Sequence, residues 1–122
     1  MEEIEYPIPK NLMECFDVLD KIFTKGGDLD WIQSSSEDEV LGAIHFSLGR
    51  WIRNQWGLWN KETDLYFLLE DMGLWHPDDM SSFIITSYYR KKNNQELDLE
   101  GQIKLFKEFW KEYEQKNGPV EK

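Results

Sequence analysis

The sequence predicts an all-α fold, a single compact domain of about five helices with no sheet. Three observations carry this expectation. Apolar residues recur at three- and four-residue spacing in one segment after another. Capping residues and glycines punctuate those segments. No segment shows sustained period-two alternation or a β-branched run. The 122 residues are 40% hydrophobic and 15% aromatic, which suits one core built from large rings. A chain of this size buries roughly two-thirds of the surface that its unfolded form exposes. The helical domain is expected over residues 11–115, with an extended N-terminal arm at 1–10 and a frayed C-terminal tail at 116–122.

In the arm, Tyr6-Pro7-Ile8-Pro9 places two prolines in three positions, which favours extended chain. Asn11 is the expected N-cap of the first helix, with Glu14 three positions on as in a capping box. Leu12, Cys15, Phe16, Leu19, Ile22 and Phe23 form its buried stripe, and Gly26-Gly27 stops it near Lys25. Asp28 to Ser35 reads as a connector with room for one helical turn. Ser36 and Glu39 form a second capping box, opening a long helix expected over Glu37 to Trp56 and stopped by Gly57. Its stripe is Val40, Leu41, Ile44, His45, Leu48 and Ile52. Asn60 or Thr63 caps a shorter helix that runs through Asp71 and ends at Gly73. His76 precedes Pro77, the residue type favoured at the first helical position, and Asp78 and Asp79 fall where the helix dipole favours acids. That helix buries Met80, Phe83, Ile84, Ser87 and Tyr88 and closes on Arg90, Lys91 and Lys92. After Asn93-Asn94-Gln95, Asp98 caps a last helix with Leu99, Ile103, Phe106, Trp110 and Tyr113 inward and its lysines and glutamates outward.

Charge narrows the partners. The net charge is −10, and residues 1–48 hold 11 acidic residues against 3 basic ones. Such a surface repels nucleic-acid phosphates and anionic membranes and attracts a basic protein. Tyr88-Tyr89-Arg90-Lys91-Lys92 is too short a basic patch to reverse that balance. Asp28, Asp30, Trp31, Glu37, Asp38 and Glu39 place one aromatic among carboxylates, a pattern that would hold a basic partner with Trp31 as anchor; an ordinary solvated connector with Trp31 turned inward explains the same residues. Acids after Met1 argue against a signal peptide, and no apolar run approaches a membrane span. The expectation is a soluble cytoplasmic protein, a monomer or weak homodimer. Cys15, the only cysteine, lies on an apolar helical face and reads as core.

Chemistry concentrates in two strings, HFSLGRWIRNQWGLW at His45 to Trp59 and WHPDDMS at Trp75 to Ser81. His45, His76, Asp78 and Asp79 are the candidate acid–base groups. His45 fits equally a hydrogen-bonded histidine inside a helical core. His76-Pro77-Asp78-Asp79 carries metal-ligand types, yet a helix start accounts for each residue, so no metal and no cofactor is expected. Arg50, Arg53 and Asn54 project away from the Leu48–Ile52 stripe and form a candidate anion site; internal pairing with Asp78 or Asp79 is the favoured alternative. Gly49 costs about 1 kcal/mol inside a helix, which close approach of another helix or of the arm would offset. No serine or cysteine stands in a triad context, and no phosphate loop is present.

Together, H-F-x-L-G-x-W-I-R-N-x-W-G-L-W at His45 to Trp59 and H-P-D-D-M-S at His76 to Ser81 resemble a family of small bacterial proteins, domain of unknown function 6794. The resemblance runs from Pro9 to about Tyr113, with Ser47 where a glycine is common and Gln55 where a second asparagine is common. It implies a bacterial, cytosolic helical domain and no particular activity. The leading expectation is a non-enzymatic protein-binding module of immunity, antitoxin or regulatory type. One rival is a small-ligand or hydrolytic domain in which His45, Arg50, Arg53, Asn54, His76, Asp78 and Asp79 converge on a pocket. Another is a structural self-associating module.

Overall fold

The computed structural model describes residues 7–120. Met1 to Tyr6 of the expected arm and residues 121–122 of the expected tail lie outside the described residues. The described chain is all-α and carries seven helices instead of the expected five, with no strand among the described residues.

Helix α1 (Leu12–Gly26) starts as the sequence predicts, Asn11 Oδ1 accepting from Glu14 N at 2.9 Å. The Glu14 carboxylate reaches back to the Lys10 N–H instead of completing a reciprocal box on Asn11. The expected connector holds a six-residue helix, α2 (Leu29–Ser34). Ile32 is buried there, and Leu29 and Trp31 pack against the core. The Ser36–Glu39 capping box is present and opens α3 (Glu37–Ile44). The single helix expected over Glu37 to Trp56 is divided: α4 (Ser47–Gln55) begins two residues beyond α3. His45 and Phe46 keep right-handed helical torsions, so the chain passes from α3 to α4 without leaving helical conformation. Both pieces pack on the same later helix.

Helix α5 (Asp64–Met72) is capped by Thr63, whose Oγ1 accepts from Tyr66 N at 3.1 Å. It ends at Gly73, where φ is 115°. A Cβ at Gly73 would stand 2.5 Å from Lys107 Cε and 3.2 Å from Ile103 Cγ2. Glycine is needed there for the left-handed backbone, and a side chain would also press on Ile103 and displace the end of Lys107.

Helix α6 (Pro77–Lys92) is the axis of the domain. Ten of its sixteen residues are buried: Pro77, Met80, Ser81, Phe83, Ile84, Ile85, Thr86, Ser87, Tyr88 and Tyr89. They point around its whole circumference, whereas the sequence pattern predicted a single stripe. Helices α1, α2, α3, α4 and the last helix all pack on it. Polar bonds tie those neighbours down: Tyr88 donates to Asp20 at 2.9 Å, Tyr89 to the Ser35 carbonyl at 2.6 Å, and Arg90 to Glu37 at 2.8 Å. Burial and the Asp20 carboxylate push the Tyr88 hydroxyl pKa well up, and burial raises that of the Cys15 thiol.

Helix α7 (Leu99–Asn117) is capped by Asp98 and continues past the expected domain boundary at residue 115. Only Gln102 and Ile103 are buried in it. Gln102 donates to Ser87 Oγ at 3.1 Å, pinning the helix to the axis.

Phe83→Ala, at a fully buried position on α6, is expected to cost about 3–5 kcal/mol of unfolding free energy in urea, and Leu105→Ala, on the exposed side of α7, less than about 0.5 kcal/mol. Equal losses would contradict the central place of α6.

Candidate functional site

The two strings singled out by composition meet in space, where α4 crosses the start of α6. Gly49 permits the contact. A Cβ at that position would stand 2.9 Å from Arg53 Nη1 and 3.6 Å from Ser81 Oγ. Through the gap, Arg53 Nη1 donates to Ser81 Oγ at 2.8 Å, and Ser81 donates to the Asp78 carbonyl at 2.9 Å. Arg53 Nε lies 3.3 Å from Asp78 Oδ1. Arg53 is therefore a buried residue, 9% exposed, where the sequence pattern turned it away from the stripe. A guanidinium can take that place because both its donor edges find oxygen. Arg50 and Asn54 remain exposed, so the three candidate anion-binding residues do not converge. His45 is half-buried and shares a 3.2 Å hydrogen bond with Ser82 Oγ through Nδ1.

His76 caps α6, its Nδ1 accepting from Asp78 N at 3.0 Å. Its ring is also part of an aromatic surface. Trp59 meets it edge-on at 6.0 Å, Trp75 at 5.4 Å, and Trp110 of α7 stacks on it at 5.7 Å. From Trp110 the ring contacts continue to Phe109 at 5.1 Å and Tyr113 at 5.4 Å. Trp59 is 51% exposed, Phe109 57% and Tyr113 41%. Tyr113 thus departs from the inward stripe expected of it.

Asp79 turns away from the arginines. Its Oδ2 accepts from Trp110 Nε1 at 2.7 Å. The carboxyl pKa is raised chiefly by burial, with the Trp110 hydrogen bond and nearby His76 pulling the other way. Beside it opens a cleft of about 540 Å³, bounded by Trp75, Asp79, Trp110, Lys107, Lys111 and Glu114. His45, Arg53, His76 and Asp78 do not line it. Of the expected catalytic constellation, Asp79 is the member that lines this cleft. Among the described residues, no three His, Cys, Asp or Glu side chains are placed to hold a metal ion together.

The acidic front is partly occupied from within. Glu37 pairs with Arg90, and Asp20 with Lys92 at 2.6 Å. Asp28, Asp30, Asp38 and Glu39 are exposed, and Trp31 is half-buried against the core. No helix of the described residues is long and apolar enough to cross a membrane.

Sequence reasoning missed two features of this region. One is the Asp79–Trp110 bond, which joins residues 31 apart. The other is the exposure of Leu105 and Phe109 beside Tyr113. A signal for the second was present: with Leu99, Ile103, Phe106 and Trp110, these residues make the apolar arc of the last helix wider than one buried stripe needs.

A family model described as Domain of unknown function (DUF6794) matches residues 8–92, and the chain belongs to that family. The match ends with α6, so α7 lies beyond it, short of the resemblance to Tyr113 expected from the sequence. No curated protein and no solved structure matches the chain.

Two predictions follow from the geometry around the start of α6. Gly49→Ala should gain about 1 kcal/mol of helix propensity in an Arg53→Ala background and lose most or all of that gain in the wild type, where the added methyl displaces the guanidinium. The measurement is a double-mutant cycle in urea; equal effects in both backgrounds would refute the contact. For Asp79, a folded-state pKa above the ordinary 3.8 means that the folded protein holds this proton more tightly than the unfolded chain. The ionised carboxylate therefore lowers stability at neutral pH, and that loss is relieved as pH falls through the raised pKa toward 3.8. Asp79→Asn should consequently be more stable relative to wild type at pH 7 than at pH 4, as read by thermal melts at both pH values.

Proposed function

We propose that this chain is a non-enzymatic binding protein of the bacterial cytoplasm, an immunity-, antitoxin- or regulator-like module, a monomer or weak homodimer, that holds a basic protein partner. The observation that carries this is the continuous aromatic surface running from Trp59 through His76 and Trp110 to Phe109 and Tyr113, with its end members about half exposed. Rings exposed together and held in mutual contact are what a protein interface uses as anchors, because they bury large area with little entropy left to lose. The polar groups of the two strings support the same reading by their employment. Arg53, Ser81 and Asp78 fasten α4 to α6, and His76 caps a helix. The net charge of −10 selects a basic partner.

A second reading, a small-ligand site, is favoured by one feature, the half-buried Asp79 carboxyl at the wall of a cleft between Trp75 and Trp110. The two differ in where a binder perturbs the protein: a small ligand moves the cleft residues Trp75, Lys107 and Lys111, and a protein moves Leu105, Phe109 and Tyr113 on the outer face of α7, which do not line the cleft.

The test is affinity capture from the native host with the whole chain as bait, at low and high salt. A stoichiometric basic partner that is lost as salt rises supports the binding reading. Recovery of no stoichiometric partner at low salt counts against it.

A further inference from the structure

We propose that the outer face of α7, Leu105, Phe109 and Tyr113 bordered by Glu108 and Glu112, is the docking surface for an amphipathic helix carried by the basic partner. The assignment rests on the binding reading above and narrows it to one surface and one kind of occupant.

The three apolar residues stand four apart, so they fall on one line of the helix about 12 Å long. Leu105 is 68% exposed, and Phe109 and Tyr113 about half. Beside that line run Phe106 and Trp110, half-buried. Trp110 is fixed from below by its bond to Asp79 and by the stacked His76 ring. Phe109 and Tyr113 contact Trp110 and lie 6.5 Å from each other. Phe109 and Tyr113 are thus held in place before anything binds, which lowers the entropy lost on docking. A straight apolar row with a second row at its shoulder accepts a helix through residues at i, i+3, i+4 and i+7 of the incoming segment.

Charge decides between occupants. Glu108 and Glu112 lie on the far side of the row from Phe106 and Trp110, and both are exposed. Lys104 stands 3.9 Å from Glu108, an exposed pair of little strength, and Lys116 lies beyond Tyr113 at the end of the row. A second copy would have to pair α7 with α7 about a two-fold axis. In an antiparallel pairing the border of Glu108 and Glu112 would run along the same border of the other chain, and any pairing joins two bodies of charge −10. A helix with leucine-like residues on one face and lysine or arginine at its edge matches both the row and the border.

The test uses the full chain and two synthetic fourteen-residue helical peptides, one of leucine and lysine and one of leucine and glutamate in the same pattern. Binding is read by calorimetry and by amide chemical shifts. The expected result is binding of the lysine peptide with shifts centred on Leu105, Phe109 and Tyr113, and none of the glutamate peptide. The triple variant Leu105→Ser, Phe109→Ser, Tyr113→Ser should weaken binding at least about tenfold with an unchanged circular dichroism spectrum. Glu108→Lys with Glu112→Lys, which leaves the apolar row intact, should weaken it as well. Unchanged binding by both variants would place the peptide on the acidic surface of α1–α3 and overturn the assignment. So would equal binding of the two peptides, or a wild-type dimer in sedimentation that the triple variant abolishes. A native partner retained in full by the triple variant overturns this surface while leaving the binding reading standing.

Discussion

The structure depends on the enclosure of α6. From Phe83 to Tyr89 the helix is buried around its circumference and has no wet side on which to place a serine or a tyrosine hydroxyl, so such groups are met by neighbours. Ser81 is met by Arg53 of α4, Ser87 by Gln102 of α7, Tyr88 by Asp20 of α1, and Tyr89 by the carbonyl of Ser35. A buried polar group left unmatched would cost about 1–3 kcal/mol, far more than a matched one contributes. Apolar contact with Met80, Phe83, Ile84 and Ile85 draws the surrounding helices in. The polar bonds then select the height and rotation at which each one stops.

The two unusual strings make sense within that scheme. His45 to Trp59 supplies α4, its stop and the buried Trp56 and Leu58; Trp75 to Ser81 supplies the cap and first turn of α6. Their polar residues join the two elements at the Gly49 gap. Their outermost rings, Trp59 and His76, are left at the surface as the near end of an aromatic run that α7 completes. The density of polar and aromatic chemistry in these strings thus has two outlets: one fastens helices, and the other presents rings to the outside.

Much of the fold was legible in the linear sequence because helix ends are local. The Asn11, Ser36, Thr63, His76 and Asp98 caps and the Gly73 stop all lie where their residue types predict, each decided within four residues of chain. The failures were non-local. Helix α2 fills the connector where room for one turn was expected; with one buried residue, Ile32, it has too little periodicity to mark its bounds. The division at His45 and Phe46 breaks no propensity rule, since both residues keep helical torsions and both flanking pieces pack on α6. The pairing of an arginine of the first string with Asp78 was expected and is found at Arg53, but nothing near Arg53 in sequence signals that it, and not Arg50, is the buried one or that it also reaches Ser81.

The sequence alone therefore determined that this is one all-α domain, where most of its helices begin and end, that its charge is strongly negative, and which family it resembles. These properties follow from composition and from interactions a few residues long. Only the tertiary structure decided which helix is central, which arginine is buried, which acid stands by a cleft, and which apolar residues of α7 are left uncovered. Those outcomes depend on what each side chain meets across the domain, and an apolar or charged residue carries no local mark of the neighbour that will cover or answer it.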